Sequence, residues 1–283
     1  MTWAVERYSA DSLLLSDVGV RVMRPRLGDV DVHWHDYYEL SLVTGGAADH
    51  VVNGERREVS RGHAFLLTPA DFHELRVRDD QPLDCYNVVV APHLVERHLT
   101  ALAPFPGTPE LPWHTADLLD VEPDLGRLER ELDEPRLGSR VLAEALVGSV
   151  LVELARRCAR TGDRPPVPVG DPGLHAAVLF VDRHFREPLR LADVAARAHL
   201  SPNYFSERFR AYTGTSFQTY LQDRRLRFAH SLLTATTLSV TEVCRAAGFH
   251  SLSHFGRVYR RRYGTPPSTG HRTVATSRVG DDV

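Results

Sequence analysis

Within seven residues, His33-Trp34-His35-Asp36-Tyr37-Tyr38-Glu39, the chain sets two imidazoles and two carboxylates among three aromatic rings. A further histidine closes Pro69-Ala70-Asp71-Phe72-His73. Successive side chains on an extended strand alternate faces, so His33 and His35 share one. Two imidazoles, the Glu39 carboxylate and the distant His73 can hold a divalent cation if the fold gathers them. The same set, walled by Trp34 and Tyr37, can instead line a pocket for a small organic ligand. A third reading makes the histidines hydrogen-bonded members of a core. His33, Trp34, His35, Tyr37, Glu39 and His73 are thus the candidate effector-binding residues. His33, His35, Glu39 and His73 are the alternative metal set, and no catalytic residue is assigned.

A second constellation lies at 191–266, where one helix-turn-helix pattern is written twice. Val194, Ala195, Ala198 and Leu200 lead into Phe205, Phe209 and Gly214; Val243, Cys244, Ala247 and Phe249 lead into Phe255, Tyr259 and Gly264. Such paired short helices read DNA by laying the second helix in the major groove. In the first copy Ser201 can cap the reading helix, and Pro202 suits its first position. In the second, Ser239 and Glu242 have capping-box spacing, and Gly248 makes the turn. With the aromatic pairs turned inward, Asn203, Glu207 and Arg210 face outward on the first helix. Leu252, Ser253, Arg257, Arg260 and Arg261 do so on the second. The segment 217–234 between them reads as one helix, because it contains neither Gly nor Pro. It spans roughly 27 Å. With its flanking turns it sets the reading helices about 34 Å apart, one turn of B-DNA. A helical bundle that binds no DNA is the plainer alternative, and the repeat, the spacer and the charge argue against it.

That charge is divided unevenly along the chain. The net value is −3, yet from residue 174 onward there are 16 Arg against 8 acidic residues, and before it 18 against 29. A basic half suits a polyanion and an acidic half does not. All the basic residues are Arg, so each phosphate or base contact comes from a planar guanidinium.

The elements that must position these residues follow from periodicity and turn chemistry. Residues 1–110 read as short strands, with Asn53-Gly54 a hairpin turn, which suggests a jelly-roll or barrel. Helices are expected at 118–132 and 140–158. In the second, Leu142, Leu146, Val150 and Leu154 form a wide apolar stripe. It packs either on its own domain or on a twin. The expected architecture is α+β and multidomain: a ligand-binding β domain at 1–115, a helical dimerisation segment at 116–160, a linker at 161–173, an all-α DNA-binding domain at 174–272 and a disordered tail at 273–283. Cys85, Cys158 and Cys244 lie too far apart for a disulfide framework or zinc cluster. No leader pattern or membrane-length apolar run is present, so a cytoplasmic protein is expected.

The residues Ser201-Pro202-Asn203-Tyr204-Phe205-Ser206, Phe209, Gly214, Tyr220-Leu221, Arg225-Leu226, Gly248-Phe249, Phe255, Tyr259 and Tyr263-Gly264 resemble the double helix-turn-helix domain of the AraC/XylS regulators. By that resemblance Asn203, Glu207, Leu252, Ser253 and Arg257 contact bases. His33-x-His35-x₃-Glu39 with His73 resembles the cupin motifs that hold metals. In AraC/XylS regulators such positions often line an organic effector pocket. There are departures: Glu207 stands where Arg is frequent, His199 replaces a turn glycine, and the second cupin motif is one residue short, with Val77 where Asn is usual. The resemblance implies a homodimeric, one-component regulator, not an enzyme, that binds tandem half-sites on duplex DNA. It also implies a small polar effector such as a sugar, activation through RNA polymerase, and no required cofactor. A metal-dependent cupin enzyme or metal sensor fused to the DNA-binding domain is the alternative.

Overall fold

The structure, a computed structural model, describes residues 6–8, 18–69, 71–102, 111–161, 172–236 and 238–269. Most of the expected linker and all of the expected tail lie outside these residues. Eleven described strands form two facing sheets: β1 (Glu6–Tyr8), β2 (Val20–Met23), β3 (Arg26–Leu27), β4 (Val30–His35), β5 (Tyr38–Gly45), β6 (Ala47–Val52), β7 (Glu55–Ser60), β8 (Ala64–Leu67), β9 (Phe72–Val77), β10 (Leu83–Val90) and β11 (Trp113–Thr115). The strand orders are β1-β4-β9-β6-β7 and β11-β8-β5-β10-β2, with β3 also paired to β10. Asn53 and Gly54 both have positive φ, 53° and 85°, as the expected turn between β6 and β7 requires.

Alternation along β5 divides its side chains between two environments. Tyr38, Leu40 and Leu42 join Tyr86, Val88 and Val90 of β10 in a core covered by helices, while Glu39, Ser41 and Val43 face the other sheet. The covering helices are α1 (Pro92–Leu102), α2 (Glu122–Asp133) and α3 (Ser139–Thr161). A 3-10 turn, Leu119–Val121, leads into α2. α1 falls inside the span expected to be strands. Its buried apolar residues, Leu94, Val95 and Leu99, are few, and the neighbouring strand-like run masks their helical spacing.

The stripe on α3 has an internal explanation. Leu146, Val150 and Leu154 are buried in the same core as Leu40 and Val88, so they pack on their own domain. Burying each such side chain fully stabilises the fold by about 1.5–3 kcal/mol. Exposed large apolar residues near this helix, among the described residues, are Leu137, just before α3, and Val141 within it.

The C-terminal half is helical: α4 (Pro172–His184), α5 (Leu191–Arg197), α6 (Pro202–Thr213), α7 (Phe217–Ala235), α8 (Val240–Ala246) and α9 (Leu252–Tyr263). Its core gathers Phe205, Phe209, Phe217, Phe228, Phe255 and Tyr259. Phe72, Val32 and Trp34 of the β domain pack against this helical core, so the two halves share a seam. There Phe72 meets Phe228 edge-on at 5.7 Å, and Arg183 pairs with Glu96 at 2.9 Å.

Candidate ligand cluster and nucleic-acid interface

The register of the first sheet builds the histidine cluster. His33 on β4 lies directly opposite His73 on β9, and both rings turn toward the facing sheet. Glu39 reaches them from β5 across the interior. Ligand atoms of His33, Glu39 and His73 lie within 4.8 Å of one another. His35 Nε2 stands 3.7 Å, and His73 Nε2 4.0 Å, from the same Glu39 oxygen. Tyr37 stacks on His35 with 4.4 Å between ring centroids. All of these residues are buried.

Protonation follows from the outer bonds. His33 Nδ1 donates to the carbonyl of Asp31 (2.9 Å), and His35 Nδ1 donates to that of Tyr37 (2.7 Å). A carbonyl only accepts, so each Nδ1 carries the proton and a neutral ring presents a bare Nε2. Burial pushes the His35 pKa down to about 3 and that of His73 well below its usual range, so both rings are neutral. Burial raises the Glu39 carboxyl to about 7, with Ser41 and Asn87 opposing through hydrogen bonds. Neither His35 Nε2 nor His73 Nε2 has a hydrogen-bond partner among the described residues. The His35 Nε2 lone pair thus points at the Glu39 carboxyl beside His73 Nε2, an arrangement that a cation, a polar ligand or a proton on Glu39 relieves.

Sequence reasoning missed His50. It is fully buried on β6, and its Nε2 shares a hydrogen bond with His73 Nδ1 at 3.1 Å. The alternation Ala48, His50, Val52, all buried, is the signal that could have found it. Trp34 separates from the cluster with which it was grouped. It lies on the other face of β4, opposite Phe72, and its indole packs beneath the Arg186 guanidinium of the helical half at 3.6 Å.

In the helical half each reading helix has its own start and stop. The Ser201 hydroxyl accepts from the N–H of Tyr204, and Ser251 does the same for His254; Gly214 and Gly264 end the two helices in left-handed conformation. Each cap contributes about 1 kcal/mol. The capping box of Ser239 and Glu242 is complete on α8. On α6, Asn203, Glu207 and Arg210 are exposed. On α9, Leu252, Ser253, Arg257, Arg260 and Arg261 are exposed, over buried Phe255, Val258 and Tyr259. Arg261 donates to Gln222 on α7 at 3.1 Å, and Arg262 pairs with Asp223. These two bonds tie α9 to the spacer helix. α7 has 19 residues, about 28 Å of helix, and holds the two reading helices apart.

Comparison with known proteins matches both halves. Residues 24–151 match the family model of the AraC-like ligand binding domain, and residues 194–272 match that of a helix-turn-helix domain. The HTH-type transcriptional activator RhaS of Escherichia fergusonii is 28% identical over 271 residues, covering 92% of this chain and 94% of that protein. The HTH-type transcriptional activator RhaR of Salmonella schwarzengrund is 25% identical over 242 residues, covering 83% and 85%. Among solved structures, ToxT of Vibrio cholerae O395 aligns over 90% of this chain and 99% of its own, at 12% identity and a TM-score of 0.45. With a ligand-binding β domain joined to a doubled helix-turn-helix, the chain belongs to the AraC family of transcription regulators and is an effector-responsive DNA-binding protein.

Proposed function

We propose that this regulator is a cytoplasmic homodimer that senses a small polar ligand between its two sheets, through His33, His35, Glu39 and His73. One observation carries this reading: His35 Nε2, His73 Nε2 and the Glu39 carboxyl converge in the buried interior, and neither ring nitrogen has a hydrogen-bond partner among the described residues. A hydrocarbon would leave them unsatisfied. A ligand with several hydroxyls, such as a sugar, would donate to or accept from each. A divalent cation is a second reading, favoured by the outer bonds that fix the His33 and His35 tautomers, as metal-binding histidines are usually fixed. In that case His33, His35, Glu39 and His73 would hold the ion. No catalytic step is assigned to it.

On the DNA side, Asn203, Glu207, Leu252, Ser253 and Arg257 are proposed to read bases. Arg210, Arg260 and Arg261 are proposed to hold phosphates in two successive major grooves. The Glu207 carboxylate can accept from cytosine N4 while repelling phosphate, which makes it a selector rather than an anchor. The exposed Leu137 and Val141 supply an apolar edge for a second copy of the chain. Pairing two copies raises the effective concentration of the second DNA-binding half at its site. A dimer on tandem half-sites beside a promoter would activate by touching RNA polymerase; the relatives are named as transcriptional activators.

The test is a thermal-shift screen of sugars, small acids and divalent ions on the full chain, with metal analysis of the same sample. A ligand that raises Tm in wild type and not in His73→Ala is the expected result. Full stabilisation of His73→Ala, or substrate turnover lost in His35→Ala, would overturn the reading.

A further inference from the structure

At the seam between the halves, Arg186 touches both the strand that carries His33 and His35 and the second DNA-reading unit. Trp34 sits between His33 and His35 on β4. Because the strand alternates, any shift that moves the two imidazoles inward moves the indole as well. The Arg186 guanidinium covers that indole at 3.6 Å, and its Nη2 donates 2.9 Å to the carbonyl of Pro69, in the loop that leads to His73. Phe185 and Phe228 flank the same guanidinium at 5.4 and 5.3 Å. Arg186 thus rests on the segments carrying three of the four cluster residues.

Its backbone faces the other way. The Arg186 carbonyl lies only 2.4 Å from where a Cβ on Gly248 would stand, so the turn of the second helix-turn-helix packs directly on it. Gly248 has φ +78° and is buried there. From it the chain runs through Phe249 to Ser251, the cap of α9. The corresponding turn of the first unit has His199, exposed, at the same step.

We propose that Arg186 is the positioning residue through which the buried histidine cluster sets the second DNA-reading helix, rather than the first. The inference rests on the cluster being the sensing site. Occupancy there shifts β4 and the start of β9 with Pro69 before it, the indole and the Pro69 carbonyl move the guanidinium, and the backbone of Arg186 moves the turn at Gly248. An Arg is suited to this post, since one planar group can stack and donate together.

The experiment uses the full chain and two readouts. The first is hydrogen–deuterium exchange of amides in residues 247–252, without added ligand. Trp34→Leu lies in the other half of the protein, yet it is expected to speed that exchange at least fivefold. Arg186→Met is expected to do the same, and the double variant to be no faster than either single one. The corresponding turn at 198–203 should stay as in wild type. Unchanged exchange in Trp34→Leu, or additive effects in the double variant, overturns the proposal.

The second readout is Zn²⁺ as probe against a duplex that the wild-type chain selects from a random pool. Wild-type affinity is expected to change at least fivefold on Zn²⁺ addition. In Arg186→Met, Zn²⁺ is expected to bind at wild-type stoichiometry with the change in affinity lost, and Arg186→Lys to recover part of it. A full response in Arg186→Met, or Zn²⁺ bound by wild type with no change in affinity, overturns the coupling. If wild type binds no Zn²⁺, the cation reading of the cluster fails and the exchange measurements alone decide this one.

Discussion

The two helix-turn-helix units share a buried plan and differ at their turns. Phe205 and Phe209 in one, and Phe255 and Tyr259 in the other, fill equivalent places in the helical core. Yet the first turn uses His199 at φ +55°, exposed, and the second uses Gly248 at φ +78°, pressed against Arg186. A left-handed residue with a Cβ is strained but tolerable where it projects into water. Where backbone lies against it there is no room for a Cβ at all. The turn residue thus reports the neighbourhood: the first unit bends in solvent and the second bends against the seam.

Gly248→Ala should break this comparison hardest. It adds strain at positive φ and a collision with backbone, and should destabilise the chain by about 3 kcal/mol in chemical denaturation. His199→Ala should shift stability by under about 1 kcal/mol. Equal losses at the two turns would show that the second is not confined by the seam.

On DNA the asymmetry is one of charge. Arg257→Ala should weaken binding to the selected duplex by about 1–3 kcal/mol and relax base preference at its position. Glu207→Ala should relax preference with little loss, and Arg260→Ala should lower the slope of log affinity against log salt by about 1. Band-shift titrations over a salt series distinguish the three. A larger loss from Glu207→Ala than from Arg257→Ala would reverse the proposed roles of the two helices.

Acid should destabilise the first unit more than the second. His175 is hydrogen-bonded to the Tyr212 hydroxyl at the end of α6, and His230 to that of Tyr259 on α9. Burial lowers the His175 pKa to about 4, from 6.5 in the unfolded chain. Below pH 6.5 the unfolded state therefore takes up a proton that the folded state refuses. Stability falls as pH drops from 6.5 toward 4 and then levels, by about 1–2 kcal/mol at pH 5. His230 is lowered too, and is less buried. His175→Gln should flatten the pH dependence of Tm in this window more than His230→Gln, and the opposite order would refute the assignment.

The smallest expected effect is His199→Gly. Relief of positive-φ strain against the extra freedom of glycine should leave a gain of no more than about 1 kcal/mol.

Much of the reading half was legible because its signals are local. Ser201 with Pro202, Ser239 with Glu242, and the terminal glycines act within four residues of where they stand, and each does in the structure what its type dictates. The β domain was legible in class, through Asn53-Gly54 and short strand runs, but less so in content. Which face of β4 looks inward depends on its pairing with β9, 40 residues away in the case of His33 and His73. Hence Trp34 was grouped with its sequence neighbours, and His50 was missed, although His73 selects both places. The α3 stripe was legible as a stripe. Whether its partner was this chain or a copy depended on α1 and on β5, and on how far β5 and β10 extend. The contact of Arg186 with Trp34 joins residues from different halves, and no periodicity announces it.

The alternation of β4 has a consequence for anyone who would exchange parts between such regulators. One strand carries two clustered imidazoles on its inner face and the docking indole on its outer face, at three consecutive positions. Inserting or deleting a single residue ahead of His33 would exchange these roles, putting an indole into the polar interior and histidines against the helical half. A transplanted β domain would therefore need more than an intact ligand site. It would also need an aromatic residue between its inward pair, in register with the recipient's arginine, or it would bind its ligand without informing the DNA-reading half.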